Sequence, residues 1–179
     1  SDITERKRTD ELIWRQANYD MLTGLPNRRL FRDRLQQEIK KATRHGQSLA
    51  LFFIDLDHFK EINDTFGHDC GDQLLVEAGE RIRNCLRETD TVARLGGDEF
   101  TAILPEMNDQ TRAIEVAMAI TRTLAMPFII EDQQACISAS VNLRRVDIAT
   151  SSGASGTIAP HSPYTITLAP SVLSKLACA

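Results

Sequence analysis

Thr91-Val92-Ala93-Arg94-Leu95-Gly96-Gly97-Asp98-Glu99-Phe100-Thr101-Ala102-Ile103-Leu104 is the stretch on which the fold turns. Two runs of strand formers, Thr91–Leu95 and Phe100–Leu104, flank Gly96-Gly97-Asp98-Glu99. That pattern predicts a β-hairpin, because glycine supplies the positive φ that tight hairpin turns need. Further out, Leu49-Ala50-Leu51-Phe52-Phe53-Ile54 is a continuous apolar run, which predicts a strand buried on both faces. It breaks abruptly into Asp55-Leu56-Asp57. If this strand neighbours the hairpin, Asp55, Asp57, Asp98 and Glu99 gather at one edge of a sheet. Carboxylates that close repel one another unless a cation neutralises them, and hard oxygen donors suit Mg²⁺. The plainer alternative is a set of solvated loop acids, since turns favour Asp in any protein. The bare backbone at Gly96 and Gly97 would also let a ligand approach closely, a weak signal by itself.

Helical patterns surround these strands. Asn27 is placed to cap a helix over Arg28–Arg44, with Leu30, Phe31, Leu35 and Ile39 at helical spacing and Gly46 as its stop. A short helix is expected over Phe59–Phe66, a loop over Gly67–Gly71, and a long helix from Asp72 to Leu86. Ala113–Leu124 reads as a further helix and Cys136–Val141 as a further strand. Ser1 to Asn18 is highly charged with a thin apolar stripe. It predicts a helix poorly buried by this chain: a linker, a dimerising strut or a frayed extension.

With 179 residues, 42% hydrophobic and 26% charged, the chain suits one domain and excludes disordered, collagen-like or disulfide-dense classes. No uncharged apolar run approaches the ~20 residues of a membrane helix. A net charge of −4 argues against a nucleic-acid partner. Cys70, Cys85, Cys136 and Cys178 stand in no zinc-ligand spacing and read as free thiols of a cytosolic domain.

Taken together, four stretches resemble the motifs of GGDEF domains, the diguanylate cyclases. They are Asp20-Met21-Leu22-Thr23-Gly24-Leu25-Pro26-Asn27-Arg28-Arg29, Phe53-Ile54-Asp55-Leu56-Asp57-His58-Phe59-Lys60, Asn63-Asp64-Thr65-Phe66-Gly67-His68-Asp69-Cys70-Gly71-Asp72 and Arg94-Leu95-Gly96-Gly97-Asp98-Glu99-Phe100. They stand in the family's order between residue 20 and about residue 141. The resemblance implies an α+β fold like the palm of nucleotidyl cyclases and polymerases, with a central, mainly antiparallel sheet flanked by helices. It implies a helical linker over 1–18, the catalytic domain over 19–141 and an atypical segment over 142–179.

It also implies an activity: two GTP condensed to cyclic di-GMP, a bacterial second messenger, with release of two pyrophosphates where two domains meet in a homodimer. By position, Asp55, the Leu56 carbonyl, Asp98 and Glu99 would hold Mg²⁺, two ions per GTP site, with Mn²⁺ an alternative. Asp98 and Glu99 would be the catalytic pair, Asp98 taking the 3′-hydroxyl proton. Asn63 and Asp72 would read guanine, His68 would line the nucleotide pocket, Lys60 would contact phosphate, and Gly96 and Gly97 would admit the substrate. An amide and a carboxylate suit the guanine N1–H and amino edge and would leave a cytosine or adenine edge unsatisfied. Arg87 and Asp90 fall where the family's RxxD inhibitory site binds product, although an intrahelical ion pair is the plainer reading of those two letters. Asp2-Ile3-Thr4-Glu5-Arg6-Lys7 resembles the end of PAS sensor domains, implying an upstream sensor in a parent protein open to membrane attachment.

The resemblance ends near Val141. Beyond it Arg144, Arg145, Asp147 and Lys175 are the only charged residues, and the family's Lys- and Arg-bearing stretch for the triphosphate has no counterpart. The change of composition reads as a wrong frame or an altered terminus, with Val172, Leu173 and Leu176 available to cover exposed sheet. The alternative to an enzyme is therefore a weak module that binds GTP or cyclic di-GMP as a receptor.

Overall fold

The structure, a computed structural model, describes residues 2–147 and 164–166. The described elements are α1 (Asp2–Asn18), α2 (Arg28–His45), β1 (Leu49–Asp57), α3 (Phe59–Phe66), α4 (His68–Asn84), β2 (Thr91–Gly96), β3 (Glu99–Leu104), α5 (Gln110–Leu124), β4 (Phe128–Ile130), β5 (Gln133–Ala135), β6 (Ser138–Val146) and β7 (Tyr164–Ile166). Five strands form one sheet in the order β2-β3-β1-β6-β7, and every pairing in it is antiparallel. The fold is α+β, as expected. The sequence from Ala169 to Ala179, expected to cover apolar surface, lies outside the described residues.

Alternation along β1 sets the layers. Ala50, Phe52, Ile54 and Leu56 pack into the main core with Leu74, Leu75, Ala78 and Ile82 of α4 and Ala113, Ala117, Ile120 and Leu124 of α5. The other face meets α2 only at one end, where Leu49 joins Phe31, Ala42, Ala93 and Ile103. Phe53, further along that face, is 38% exposed, and Asp55 beyond it is exposed too. The expectation of a strand buried on both faces therefore holds only for its first half. Among the described residues, the cover on the second face stops where the acids begin.

Local chemistry explains the element ends. The Asn27 side chain accepts from the Arg29 and Leu30 amides at 3.0 and 3.1 Å, and Gly46 closes α2 in the left-handed region at φ 63°. The loop expected over Gly67–Gly71 is instead the break at Gly67 followed directly by the first turn of α4. The β4–β5 hairpin was not anticipated: its turn puts Glu131 and Asp132 at φ 49° and 63° without the glycine that flags such turns. Arg81 staples the end of α5, donating to the carbonyls of Thr123, Met126 and Pro127 and stacking 3.7 Å from the Phe128 ring centre. The α1 helix is exposed, with Ile3, Leu12, Ile13 and Trp14 all more than half open to solvent. Among the described residues no helix is long and apolar enough to cross a membrane.

Candidate functional site

The strand ending in Asp55 does neighbour the hairpin, which brings their acids to one sheet edge. Antiparallel pairing of β1 with β3 sets Asp55 directly opposite Glu99, and the Leu56 amide donates to the Asp98 carbonyl at 3.4 Å. Asp98 is half-buried, while Asp55 and Glu99 are exposed. Partial burial, then repulsion from Asp98, Glu99 and Asp57, holds the Asp55 carboxyl above the usual carboxylate range. Asp57 contributes its field but has its own oxygens engaged by the Ser138 and Ser140 hydroxyls at 2.8 and 2.9 Å. Arg28 stands 4.0 Å from Glu99, both largely solvated, so that pair neutralises little.

Among the described residues no three acid, histidine or cysteine side chains stand close enough as placed to enclose an ion. The donor chemistry fits Mg²⁺ all the same. Partial burial, and after it repulsion from Asp98, Glu99 and Asp57, raises the proton affinity of Asp55, and exposed carboxylates on a strand end can turn toward a hard cation.

A second group lies on the α3–α4 corner. A Cβ placed on Gly71 would come 1.9 Å from Asn63 Oδ1 and 3.2 Å from Phe59 Cζ. The missing side chain thus makes the space in which the Asn63 amide rests against α4. Asp72 follows on the exposed surface of α4 and borders a cleft of about 620 Å³ with Leu22, Gln73 and Val76. Lys60 and His68 are exposed on the first turns of α3 and α4. His58, at φ 63° before α3, shares a hydrogen bond with Glu61 at 2.9 Å. That bond and the Glu61 charge raise its proton affinity.

Arg87 and Asp90 form a turn, not an ion pair: the Arg87 amide donates to Asp90 Oδ2 at 2.8 Å. The charged partner of Asp90 is Arg112 on α5, which sequence reasoning missed. The Arg87 residue is exposed. Sequence reasoning also gave Arg94 no role. Its guanidinium donates to the Gly97 carbonyl at 2.9 and 2.8 Å and to both Asp20 oxygens at 3.0 Å. The more enclosed cavity, about 230 Å³ among Ala50, Met107, Ala113, Ile114 and Leu143, lies at the far end of β1 from Asp55.

Comparison with known proteins adds a family to this geometry. The family described as "Diguanylate cyclase, GGDEF domain" matches residues 17–152. The bifunctional diguanylate cyclase/cyclic di-GMP phosphodiesterase MucR of Pseudomonas aeruginosa is 41% identical over 140 residues, 78% of this chain and 20% of that protein. Diguanylate cyclase TpbB of the same species is 46% identical over 117 residues, 65% of this chain and 27% of that protein. The chain thus spans about a fifth to a quarter of these relatives. A crystal structure of the coiled coil and GGDEF domain of DgcB from Caulobacter crescentus, in complex with c-di-GMP, superposes with a TM-score of 0.71. Its identity is 28%, covering 80% of this chain and 77% of that one.

Proposed function

The chain belongs to the GGDEF domain family, and we propose on that premise that it condenses two GTP into cyclic di-GMP in a homodimer. Each 3′-oxygen bonds to the α-phosphorus of the other GTP, the bond from that phosphorus to the β-phosphate bridge breaks, and pyrophosphate leaves. Asp98, with Glu99 beside it, takes the proton from the 3′-hydroxyl. Asp55, Asp98, Glu99 and the Leu56 carbonyl would hold Mg²⁺, which when bound neutralises the charge growing on the phosphate oxygens. Lys60 meets phosphate, Asn63 and Asp72 take the guanine edge, His68 lines the pocket, and the bare backbone at Gly96 and Gly97 admits the nucleotide. Arg87 and Asp90 bind product and restrain synthesis, and α1 links the domain to an upstream sensor.

The observation that carries this reading is the pairing of β1 with β3, which sets Asp55 opposite Glu99 and ties Leu56 to Asp98 at one strand end, where partial burial and then the neighbouring acids raise the proton affinity of Asp55. Turnover of GTP with Mg²⁺, followed by chromatography at several protein concentrations, tests it. Cyclic di-GMP rising faster than enzyme concentration supports a dimeric cyclase, and Asp98→Ala abolishes product while melting like the parent. Absence of product from a folded chain sinks the enzyme.

A second reading is a receptor that binds GTP or cyclic di-GMP without turnover. One observation favours it: beyond Val141 the only lysine or arginine residues are Arg144, Arg145 and Lys175, which leaves little cationic side chain for a triphosphate.

A further inference from the structure

We infer that Arg94 is a positioning residue that locks the tip of the β2–β3 hairpin to the turn ending α1, so that the setting of Asp98 and Glu99 follows that turn. The kinetic consequence rests on the cyclase reading above; the structural one rests on geometry alone.

The guanidinium is nearly buried, with 12% of the Arg94 side chain exposed and 21% of Asp20. One edge of its fork holds the Gly97 carbonyl and the other holds Asp20. Gly97 sits at φ 52°, and its carbonyl lies in the same rigid peptide plane as the Asp98 amide. Fixing that oxygen therefore fixes the plane from which Asp98 departs. Asp20 is held in turn: its carboxylate accepts from the Thr23 amide at 2.9 Å and hydroxyl at 2.7 Å. Burial alone would raise the Asp20 carboxyl, but Thr23 and Arg94 outweigh it and keep the group below its ordinary range.

The turn closes onto α1. The Asn27 amide donates to the Asn18 carbonyl at 2.9 Å, and the Asn27 side chain donates to the Ala17 carbonyl at 2.9 Å. The Arg94 amide completes the link by donating to the Pro26 carbonyl at 3.0 Å. An unbroken run of hydrogen bonds thus joins the last turn of α1 to the carbonyl preceding Asp98. A displaced turn carries Asp20 with it, and the fork must follow or release the tip. Lysine cannot replace this, because a single ammonium lacks the planar two-edged fork.

The test uses the whole chain with Arg94→Lys, Asp20→Asn and the double variant, each checked by thermal melting. Two readouts separate positioning from simple destabilisation. In steady-state assays each single variant should lose roughly tenfold or more in kcat, with KM for GTP moving less than about threefold. The double variant should be no worse than the poorer single, because both cut the same link. In ¹⁵N-labelled protein, Asp20→Asn should move the amide resonances of Gly97 and Asp98. Unmoved resonances, or a loss carried wholly by KM, overturn the inference. If the parent chain makes no cyclic di-GMP, the cyclase reading falls and the resonances alone decide the link. If Arg94→Lys fails to fold, Asp20→Asn decides it.

Discussion

Asp90 gives both carboxylate oxygens to Arg112, at 2.9 and 2.7 Å, with none of its side chain open to solvent. Removing Arg112 strands a buried charge, so Arg112→Ala should cost about 2–4 kcal/mol in urea unfolding. Arg87→Ala, at an exposed position, should leave that stability within about 0.5 kcal/mol. If Arg87 and Asp90 hold product, Arg87→Ala also lifts inhibition by cyclic di-GMP, and unchanged inhibition removes Arg87 from that role. Asp90→Ala is the poorer probe, because it disturbs the packing of α5 as well as any ligand.

Gly71 makes room for Asn63. In Gly71→Ala the new methyl group would meet Asn63 Oδ1 at 1.9 Å, and the amide must swing away. Alanine favours a helix interior over glycine by about 1 kcal/mol, which offsets the crowding of the methyl group against Phe59 Cζ at 3.2 Å, so the melting temperature should change little. GTP affinity by calorimetry should fall by about tenfold if Asn63 reads guanine, a loss near the value of one hydrogen bond to a buried edge. Undiminished affinity would free Asn63 from that assignment.

Asp55 carries a stability penalty that its chemistry would need. Its carboxyl binds protons more tightly in the folded chain, through burial and then the neighbouring acids. The stability it contributes is therefore fully present below the ordinary carboxylate pKa and lost as pH rises through the raised folded value. At pH 7 in EDTA, Asp55→Asn should melt slightly higher than the parent, on the order of 1–3 °C after solvent screening. The difference should fade toward pH 4, near the ordinary carboxylate range. Added Mg²⁺ should raise the melting temperature of the parent and barely move the variant. A variant that melts lower in EDTA would contradict the repulsion.

Arg81 should matter for stability. Its hydrogen bonds to three carbonyls and its stacking on Phe128 predict a loss of about 2–4 kcal/mol for Arg81→Ala by urea unfolding. Metal-induced shifts in melting temperature should survive in that variant. An Arg81→Ala chain as stable as the parent would mean the carbonyls find water readily.

Much of this was legible because the signals were local. The paired glycines announced the β2–β3 hairpin, and the apolar run ending in Asp55 announced a strand whose end meets that tip. Where several residues could serve, reading failed. Gly67 and Gly71 together looked like a loop, yet only Gly67 breaks the chain, and Gly71 lies inside α4 as a point of close approach. The burial of β1 depended on how far α2 reaches, which no residue of β1 encodes. The links of Arg94 to Asp20, Arg112 to Asp90, and Ser138 and Ser140 to Asp57 cross large sequence separations. Chemistry alone does not choose among the many acids and bases available for such pairs.

Trp14 is the chain's lone tryptophan and stands at the end of α1, its ring centre 5.7 Å from that of Tyr19. Its carbonyl accepts from the Asn18 side chain at 2.8 Å, one step before the turn that holds Asp20. With 54% of its surface in water, its emission colour and quenching respond to any rearrangement of that junction. The protein therefore carries its own optical reporter where a signal travelling down α1 would arrive, readable in solution without a dye.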